Sequence, residues 1–298
     1  MANLPALNLT LSMVIFGTIG LFAVEGGLPP FATVFWRCIF ASLFLAAWCF
    51  GRGYLRLRDL SPRLILMAAV GGICNIGSSV ALFAAYASTT IATATIIYHM
   101  QPFFVVLIGA MFLKETIRRH ELLWMVLAFV GMGLATGFVG QNVPASPGWA
   151  LGVGLSLLAA LLYAIGTILG KKLGGQRPEV TTLIQAVIAA VLLLPVPEVT
   201  QPVPMASWKW LVCLGVIHTG IAYTLMFRAL PKLSTPTIGV LAFVFPLVAI
   251  VVDWLFYQQP IGPFQAIGMG LIMLGTLGVQ LGWGLRMQKD KRKGTAAT

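Results

Sequence analysis

The amino-acid sequence contains an internal duplication, which restricts its fold more than any single motif does. Residues 26–45 align without a gap with residues 174–193. The identical pairs are Gly26 and Gly174, Gly27 and Gly175, Pro30 and Pro178, Thr33 and Thr181, Ala41 and Ala189, and Leu45 and Leu193. A second stretch pairs Phe83 with Phe227, Pro102 with Pro246, and Gly131 with Gly275. The alignment therefore predicts two homologous halves.

The composition places both halves in a membrane. Hydrophobic residues make up 59% of the chain and charged residues only 9%, whereas soluble domains carry about 25% charged residues. Stretches of about 20 apolar residues are long enough to cross the hydrocarbon core. Ten such spans are predicted, approximately at 7–24, 31–50, 64–87, 91–113, 122–139, 149–169, 180–195, 208–230, 235–257 and 264–285. Because backbone amides in hydrocarbon need partners within the protein, we expect an all-α polytopic membrane protein with ten transmembrane helices.

The distribution of basic residues predicts the orientation of these spans. The formal net charge is +11, and all lysines and arginines except Arg37 and Lys209 lie at the C-terminal ends of even-numbered spans or after them. Since cytoplasmic loops carry an excess of Lys and Arg, both termini are predicted to lie in the cytoplasm. Residues 286–298 would then form a basic cytoplasmic tail.

The repeat and the span count together predict an inverted architecture. Residues 1–140 and 141–285 would each contribute five spans, and an odd number makes the second repeat enter the membrane from the opposite side. Two such repeats are related by a pseudo-two-fold axis in the membrane plane, the arrangement used by many secondary transporters. The topology therefore favours transport by alternating access.

Three short patterns add a family resemblance. Pro30 is followed by Arg37 and the run Ala41–Leu45, Pro102 begins an apolar run that closes at Glu115, and Gly131–Leu134 ends the fifth span. With the repeat and the ten spans, these patterns resemble the EamA-type branch of the drug/metabolite transporter superfamily. The resemblance covers nearly the whole chain. It implies ten helices in two repeats, and the chain is similar to bacterial exporters of aromatic amino acids within that branch.

The second repeat departs from the family pattern at two positions. Gln185 stands where an Arg is expected, and Gln259 stands where the closing Glu is expected. These substitutions weaken any role that would require two symmetric charges.

Depth along the helices, at about 1.5 Å per residue, points to a central cavity. Asn75, His99, Tyr163 and His218 are predicted near the midplane, where transporters commonly bind substrate. The predicted lining residues are Asn75, Ser79, His99, Tyr163, Thr167, His218, Thr219 and Tyr223. Ser, Thr and Asn also make ordinary interhelical hydrogen bonds in membrane bundles, so packing is the alternative interpretation for them. Pro102 and Pro246 each remove a helical hydrogen bond and predict kinks in two spans.

The predicted function is secondary export of amino acids, aromatic or otherwise neutral, and of related small metabolites across the bacterial inner membrane. A multidrug or lipophilic-cation transporter is the first alternative, and an intramembrane enzyme is a remote one. The sequence contains no Walker motif, so direct ATP hydrolysis is not expected. No cofactor or metal site is predicted, since the four cysteines lie at unrelated spacings in apolar spans.

Several properties stay open at this level. His99 and His218 are the ionisable groups predicted near the midplane, and downhill export is favoured over strict proton coupling. Gly278-x-x-x-Gly282 permits close helix contact, for which packing within a monomer is favoured over a dimer. Arg37 and Asp253 lie inside spans, and either a mutual ion pair or separate partners would satisfy them.

Overall fold

The chain is described by a computed structural model that covers residues 4–55, 61–89, 91–135, 148–258, 261–281 and 283. These residues form helices joined by short connections, and no strand occurs among them. The predicted tail, residues 286–298, lies outside the described residues, as do Gln259 and Gly282.

Seven α-helices lie in the first half of the chain. They are α1 (Leu4–Gly17), α2 (Ile19–Gly26), α3 (Pro30–Gly51), α4 (Pro62–Ser88), α5 (Ile91–Tyr98), α6 (Gln101–Leu113) and α7 (Arg119–Ala135), counted over the described residues. Prolines at the first helical positions of α3 and α4 suit the backbone there, because the N–H that proline lacks would have no helical partner. The Ser61 hydroxyl caps α4 by accepting from the backbone N–H of Leu64 at 3.2 Å.

The second half contains a further seven α-helices and one π-helical segment within the described residues. They are α8 (Trp149–Lys172), α9 (Pro178–Leu193), α10 (Trp208–Cys213), the π-helical segment Leu214–Ile221, α11 (Ala222–Ala229), α12 (Thr235–Ala242), α13 (Val244–Tyr257) and α14 (Pro263–Gln280). Short 3₁₀ turns lie at Pro197–Thr200, Met205–Ser207 and Leu230–Lys232.

Six helical stretches in the described part of the chain are long and apolar enough to cross a membrane. They are Leu4–Gly26, Pro30–Gly51, Pro62–Ala85, Trp149–Lys172, Met205–Lys232 and Thr235–Tyr257. Gln101–Leu113, Pro178–Leu193 and Pro263–Val279 are apolar but shorter. The all-helical class is thus confirmed for the described residues, while the ten-span count, the repeat boundaries and the cytoplasmic termini stay predictions.

Helical hydrogen bonding is interrupted just before each of the two prolines that were expected to kink a span. His99 and Met100 separate α5 from α6, and Phe243 separates α12 from α13. At each interruption a backbone N–H bonds the carbonyl oxygen three residues earlier. That of Met100 donates to the Ile97 carbonyl oxygen at 3.0 Å, and that of Phe243 donates to the Val240 carbonyl oxygen at 3.1 Å. Proline supplies no N–H to continue the α-helical pattern, which accounts for a break at both places.

The two predicted repeats interleave instead of folding as separate units. Helix α3 packs on α9, α4 packs on α8, and α7 packs on α14. The contact between α7 and α14 depends on glycines: a β-carbon at Gly131 would stand 2.7 Å from the carbonyl oxygen of Gly268, and one at Gly268 would overlap the carbonyl oxygen of Gly131. Gly278 likewise faces the Trp124 ring of the same chain. This glycine face therefore packs intramolecularly at the described positions, and the oligomeric state stays a prediction.

We predict that Gly268→Ala lowers the melting temperature of the detergent-purified protein by about 2–6 °C. The added methyl group would overlap the α7 backbone, and overpacking of this kind costs about 1–3 kcal/mol. Gly270→Ala is the matched control, since it lies on the same helix and a β-carbon there meets nothing within 4 Å. Equal melting temperatures for the two variants would contradict the close contact.

Candidate substrate-binding site

A narrow cavity with a volume of about 40 Å³ lies where α3, α4, α9, the π-helical segment and α11 meet. Its polar lining consists of Arg37, Asn75 and Ser79 from the first half and Thr182, Gln185, Thr219 and Tyr223 from the second half. Val34, Ile76, Ala186 and Ala189 supply apolar wall. The mixture of a few convergent polar groups with apolar surface is typical of small-molecule sites.

The lining residues come in repeat-equivalent pairs. The gapless alignment that pairs Gly26 with Gly174 also pairs Arg37 with Gln185 and Val34 with Thr182, and all four line the cavity. Asn75 and Thr219 form another such pair. Because equivalent residues of both halves face one space, the cavity lies where a pseudo-two-fold axis would pass.

Hydrogen bonds within the walls determine which groups remain available to a ligand. The hydroxyls of Ser79, Thr182 and Thr219 donate to carbonyl oxygens of their own helices, at 3.1, 2.9 and 3.1 Å. Their oxygen lone pairs therefore remain as acceptors. Arg37 Nε and Gln185 Nε2 are buried donors that have no hydrogen-bond partner.

The electrostatic character of the cavity follows from Arg37. Among the lining residues that the structure describes, Arg37 is the one with a formal charge. A guanidinium matches the geometry of a carboxylate through two parallel hydrogen bonds. Hydroxyl oxygens whose protons are already donated suit an ammonium group, which has donors only. The arrangement is complementary to a molecule that carries both groups.

A model of the EamA-like transporter family matches residues 3–137 and 150–281 of the sequence. The chain belongs to this family. It is therefore a multi-pass membrane protein and a transporter of the drug/metabolite superfamily, and the resemblance drawn from the sequence motifs is confirmed.

Individual relatives agree with this assignment. The chain is 33% identical over 273 residues to the "uncharacterized transporter YxxF" of Bacillus subtilis (strain 168), covering 90% of this chain and 87% of that protein. It is 28% identical over 169 residues to the threonine/homoserine exporter RhtA of Escherichia coli (strain K12), covering 55% and 56% of the two chains. A solved crystal structure superposes with a TM-score of 0.83 and 18% identity, over 94% of this chain and 98% of that one. That last likeness concerns the fold alone.

The predicted site residues of this EamA-like transporter fall into three groups. Asn75, Ser79, Thr219 and Tyr223 line the cavity described above. Tyr163 and Thr167 line a second, very small space of about 10 Å³, together with Gln101 and Pro102. His99 and His218 line neither. The three groups do not differ in predicted depth. They differ in the face of the helix on which each residue lies.

The two histidines instead bond neighbouring polar groups where the helices are irregular. His99 is 1% exposed at the break between α5 and α6, and its Nδ1 lies 2.7 Å from the Thr95 carbonyl oxygen. Because a carbonyl can only accept, Nδ1 carries the hydrogen. His218 is also 1% exposed; its Nε2 lies 2.9 Å from the Thr18 hydroxyl, which itself donates to Ile15 at 2.8 Å. Both rings therefore help to satisfy polar groups at interruptions of helices.

Arg37 and Gln185 are the cavity residues that the sequence interpretation placed elsewhere or set aside. Arg37 was weighed as an outer partner of Asp253, whose side chain lies outside the described residues. Gln185 was treated only as a departure from the family pattern. Their equivalence in the gapless repeat alignment was the signal that would have placed both at the axis.

Two ion pairs join helices at the end of the bundle predicted to face the cytoplasm. Glu115, just after α6, pairs with Lys171 of α8 and accepts from the N–H and hydroxyl of Thr235 at 2.8 and 3.0 Å. Arg228 of α11 pairs with Glu179 of α9 at 2.6 Å. Glu115 thus connects the first half of the chain to two helices of the second.

The environment of Glu115 alters its acidity. Partial burial of the carboxyl opposes ionisation, but Lys171 and the two Thr235 donors together outweigh it, so the pKa lies below the ordinary value of 4.5. A lowered folded-state pKa means that the stabilisation is complete above the ordinary pKa and is lost as the pH falls through the lowered one.

We predict that Glu115→Gln lowers the melting temperature by about 2–6 °C at pH 7, because Lys171 loses its charged partner. The difference from the wild type should shrink as the pH is lowered below 4.5, since the wild-type carboxylate then becomes protonated. Glu121→Gln serves as control, because the hydrogen bond that Glu121 makes among the described residues is with the nearby Arg118 N–H at an exposed position. A difference between the wild type and Glu115→Gln that does not change with pH would contradict the ion pair.

Proposed function

We propose that this EamA-like transporter is a secondary exporter of neutral amino acids, which it moves out of the cytoplasm across the inner membrane by alternating access. The observation that carries the proposal is a cavity whose one formal charge, among the described lining residues, is the Arg37 guanidinium. In the proposed complex, Arg37 binds the substrate carboxylate. The oxygens of Ser79, Thr182 and Thr219 accept from the substrate ammonium.

The relatives support an amino-acid substrate. RhtA is named as an exporter of threonine and homoserine, and its similarity to this chain extends over 55% of the chain. Val34, Ile76 and Ala186 provide apolar wall for a neutral side chain. The sequence resemblance to aromatic amino acid exporters fits the same site, with Tyr223 as an aromatic contact.

The alternatives fit the cavity less well. A site for lipophilic cations would favour a carboxylate, and the described lining residues include none. For an intramembrane enzyme, a serine would need a histidine as base. The hydroxyls of Ser78 and Ser79 donate instead to the carbonyls of Ala159 and Asn75.

Downhill export is the proposed mode of transport. Direct competition between proton and substrate needs a titratable group at the substrate site, and neither His99 nor His218 lines the cavity. Flux in liposomes should therefore follow the amino-acid gradient with no steep dependence on an imposed pH gradient.

The test is equilibrium binding of labelled L-phenylalanine to purified protein, combined with efflux from loaded liposomes. We predict that Arg37→Gln weakens binding by at least about 30-fold, the effect of truncating a buried charge-paired donor, and that Arg37→Lys has a smaller effect. Unlabelled phenylalanine should compete, and phenethylamine, which lacks the carboxylate, should not.

Arg52→Gln is the matched control for this experiment. Arg52 follows the last residue of the same helix and lies exposed over the Trp48 ring, 4.8 Å from its centre. Its removal should leave binding unchanged. Equal competition by phenylalanine and phenethylamine, or equal losses in Arg37→Gln and Arg52→Gln, would contradict the assigned role of Arg37.

A further inference from the structure

The cavity is asymmetric at the pair of repeat-equivalent positions that determines its formal charge. Arg37 of α3 and Gln185 of α9 occupy corresponding places in the two halves, and both line the same space. One position supplies a cation and the other a neutral amide of similar reach. A strictly symmetric cavity would hold two cations and would suit two negative charges.

The Gln185 amide is held in a defined orientation. Its side chain is buried, and its Oε1 accepts a hydrogen bond from Asn75 Nδ2 at 3.0 Å. The backbone of Gln185 packs closely on α4, since a β-carbon at Gly72 would stand 3.3 Å from its Cα. With Oε1 engaged, Nε2 is the remaining donor of the amide, and it lies beside Gly71 of α4, where a β-carbon would stand 2.8 Å from it.

That donor has no partner in the protein. Gln185 Nε2 and Arg37 Nε are both buried without a hydrogen bond. Leaving a buried donor unpaired costs about 1–3 kcal/mol, and a ligand that accepts from it recovers this cost. A carboxylate has two oxygens and only acceptor sites, so one carboxylate can accept from both groups.

We propose that Gln185 restricts the substrates to molecules with one carboxylate. Its amide donates one hydrogen bond to the carboxylate on Arg37, and because the amide is uncharged, the cavity keeps a single positive charge. The proposal rests on the function proposed above and deepens it. A substrate with a second carboxylate would place that carboxylate in the cavity without a cationic side chain to pair with, and burying an unpaired charge at low dielectric is costly. Neutral amino acids are accepted, and acidic ones are rejected.

The decisive variant is Gln185→Arg, which restores the cation expected from the family pattern. Dissociation constants would be measured in nanodiscs for L-phenylalanine, L-glutamine and L-glutamate, the last two being close in size and different in charge. The wild type should bind glutamine at least about 10-fold more tightly than glutamate. In Gln185→Arg the ratio should shift toward glutamate by at least about 30-fold, as expected for a desolvated charge pair.

Two further variants decide the matter if Gln185→Arg does not fold. Gln185→Met keeps the approximate size but removes the donor, and it should weaken phenylalanine binding about 2- to 10-fold, the range for one neutral hydrogen bond. The exchange variant Arg37→Gln with Gln185→Arg returns a single cation to the equivalent position. It should bind phenylalanine more tightly than Arg37→Gln alone and still reject glutamate.

The outcomes separate the two proposals. If the wild type binds neither phenylalanine nor glutamine, both the amino-acid function and the role of Gln185 are overturned. If the wild type binds them but Gln185→Arg keeps the wild-type preference, only the role of Gln185 is overturned. Wild-type phenylalanine affinity in Gln185→Met also overturns it.

Discussion

The structure depends on the requirement that backbone N–H and C=O groups inside hydrocarbon find partners within the protein. Regular helices meet this requirement by themselves, and irregular backbone is tolerated only where protein surrounds it. The interruptions near Thr18, His99 and Phe243 obey this rule, as does the π-helical segment Leu214–Ile221. At Thr18 and His99, a side chain bonds a nearby backbone carbonyl. The Thr18 and His99 side chains thereby supply partners to backbone carbonyls at two of these interruptions.

The same irregularity shapes the cavity. A π-helical segment rotates its side chains relative to those of an α-helix, and here it turns Thr219 toward α3 and α9 while His218 faces Thr18 and Phe22. Close packing through glycine brings the opposing walls together: Gly215 contacts Phe40 and Arg37 of α3, and Gly72 contacts Gln185 of α9. Small residues where the helices touch thus bring the helices close enough for their large polar side chains to face the same cavity. The cavity is a product of interleaved repeats, and neither half encloses it alone.

Much of the fold and part of the site could be predicted from residues alone. Apolar content and spacing identify an all-helical membrane protein, because the hydrophobic requirement of a span acts along the chain itself. The repeat alignment pairs Asn75 with Thr219 and Ser79 with Tyr223, and these four residues line one space in the structure. The substrate roles of these residues stay predictions. The EamA family was identifiable from the repeat with Pro30, Arg37 and Pro102.

Only the tertiary structure decided which neighbours the helix face of each site residue meets. Depth in a span is additive along a helix, so the sequence predicts Tyr163, His99 and His218 near the midplane. Rotation about the helix axis depends on which neighbour each side chain meets. Those neighbours are distant in sequence: Thr18 for His218, Phe245 for His99 and Tyr98 for Tyr163. For the same reason the pairing of Arg37 with Gln185 across one cavity required the packing of α3 on α9. The sequence by itself determined a duplicated, helical membrane transporter; only the packing of its helices decided that the central charge would be a single guanidinium.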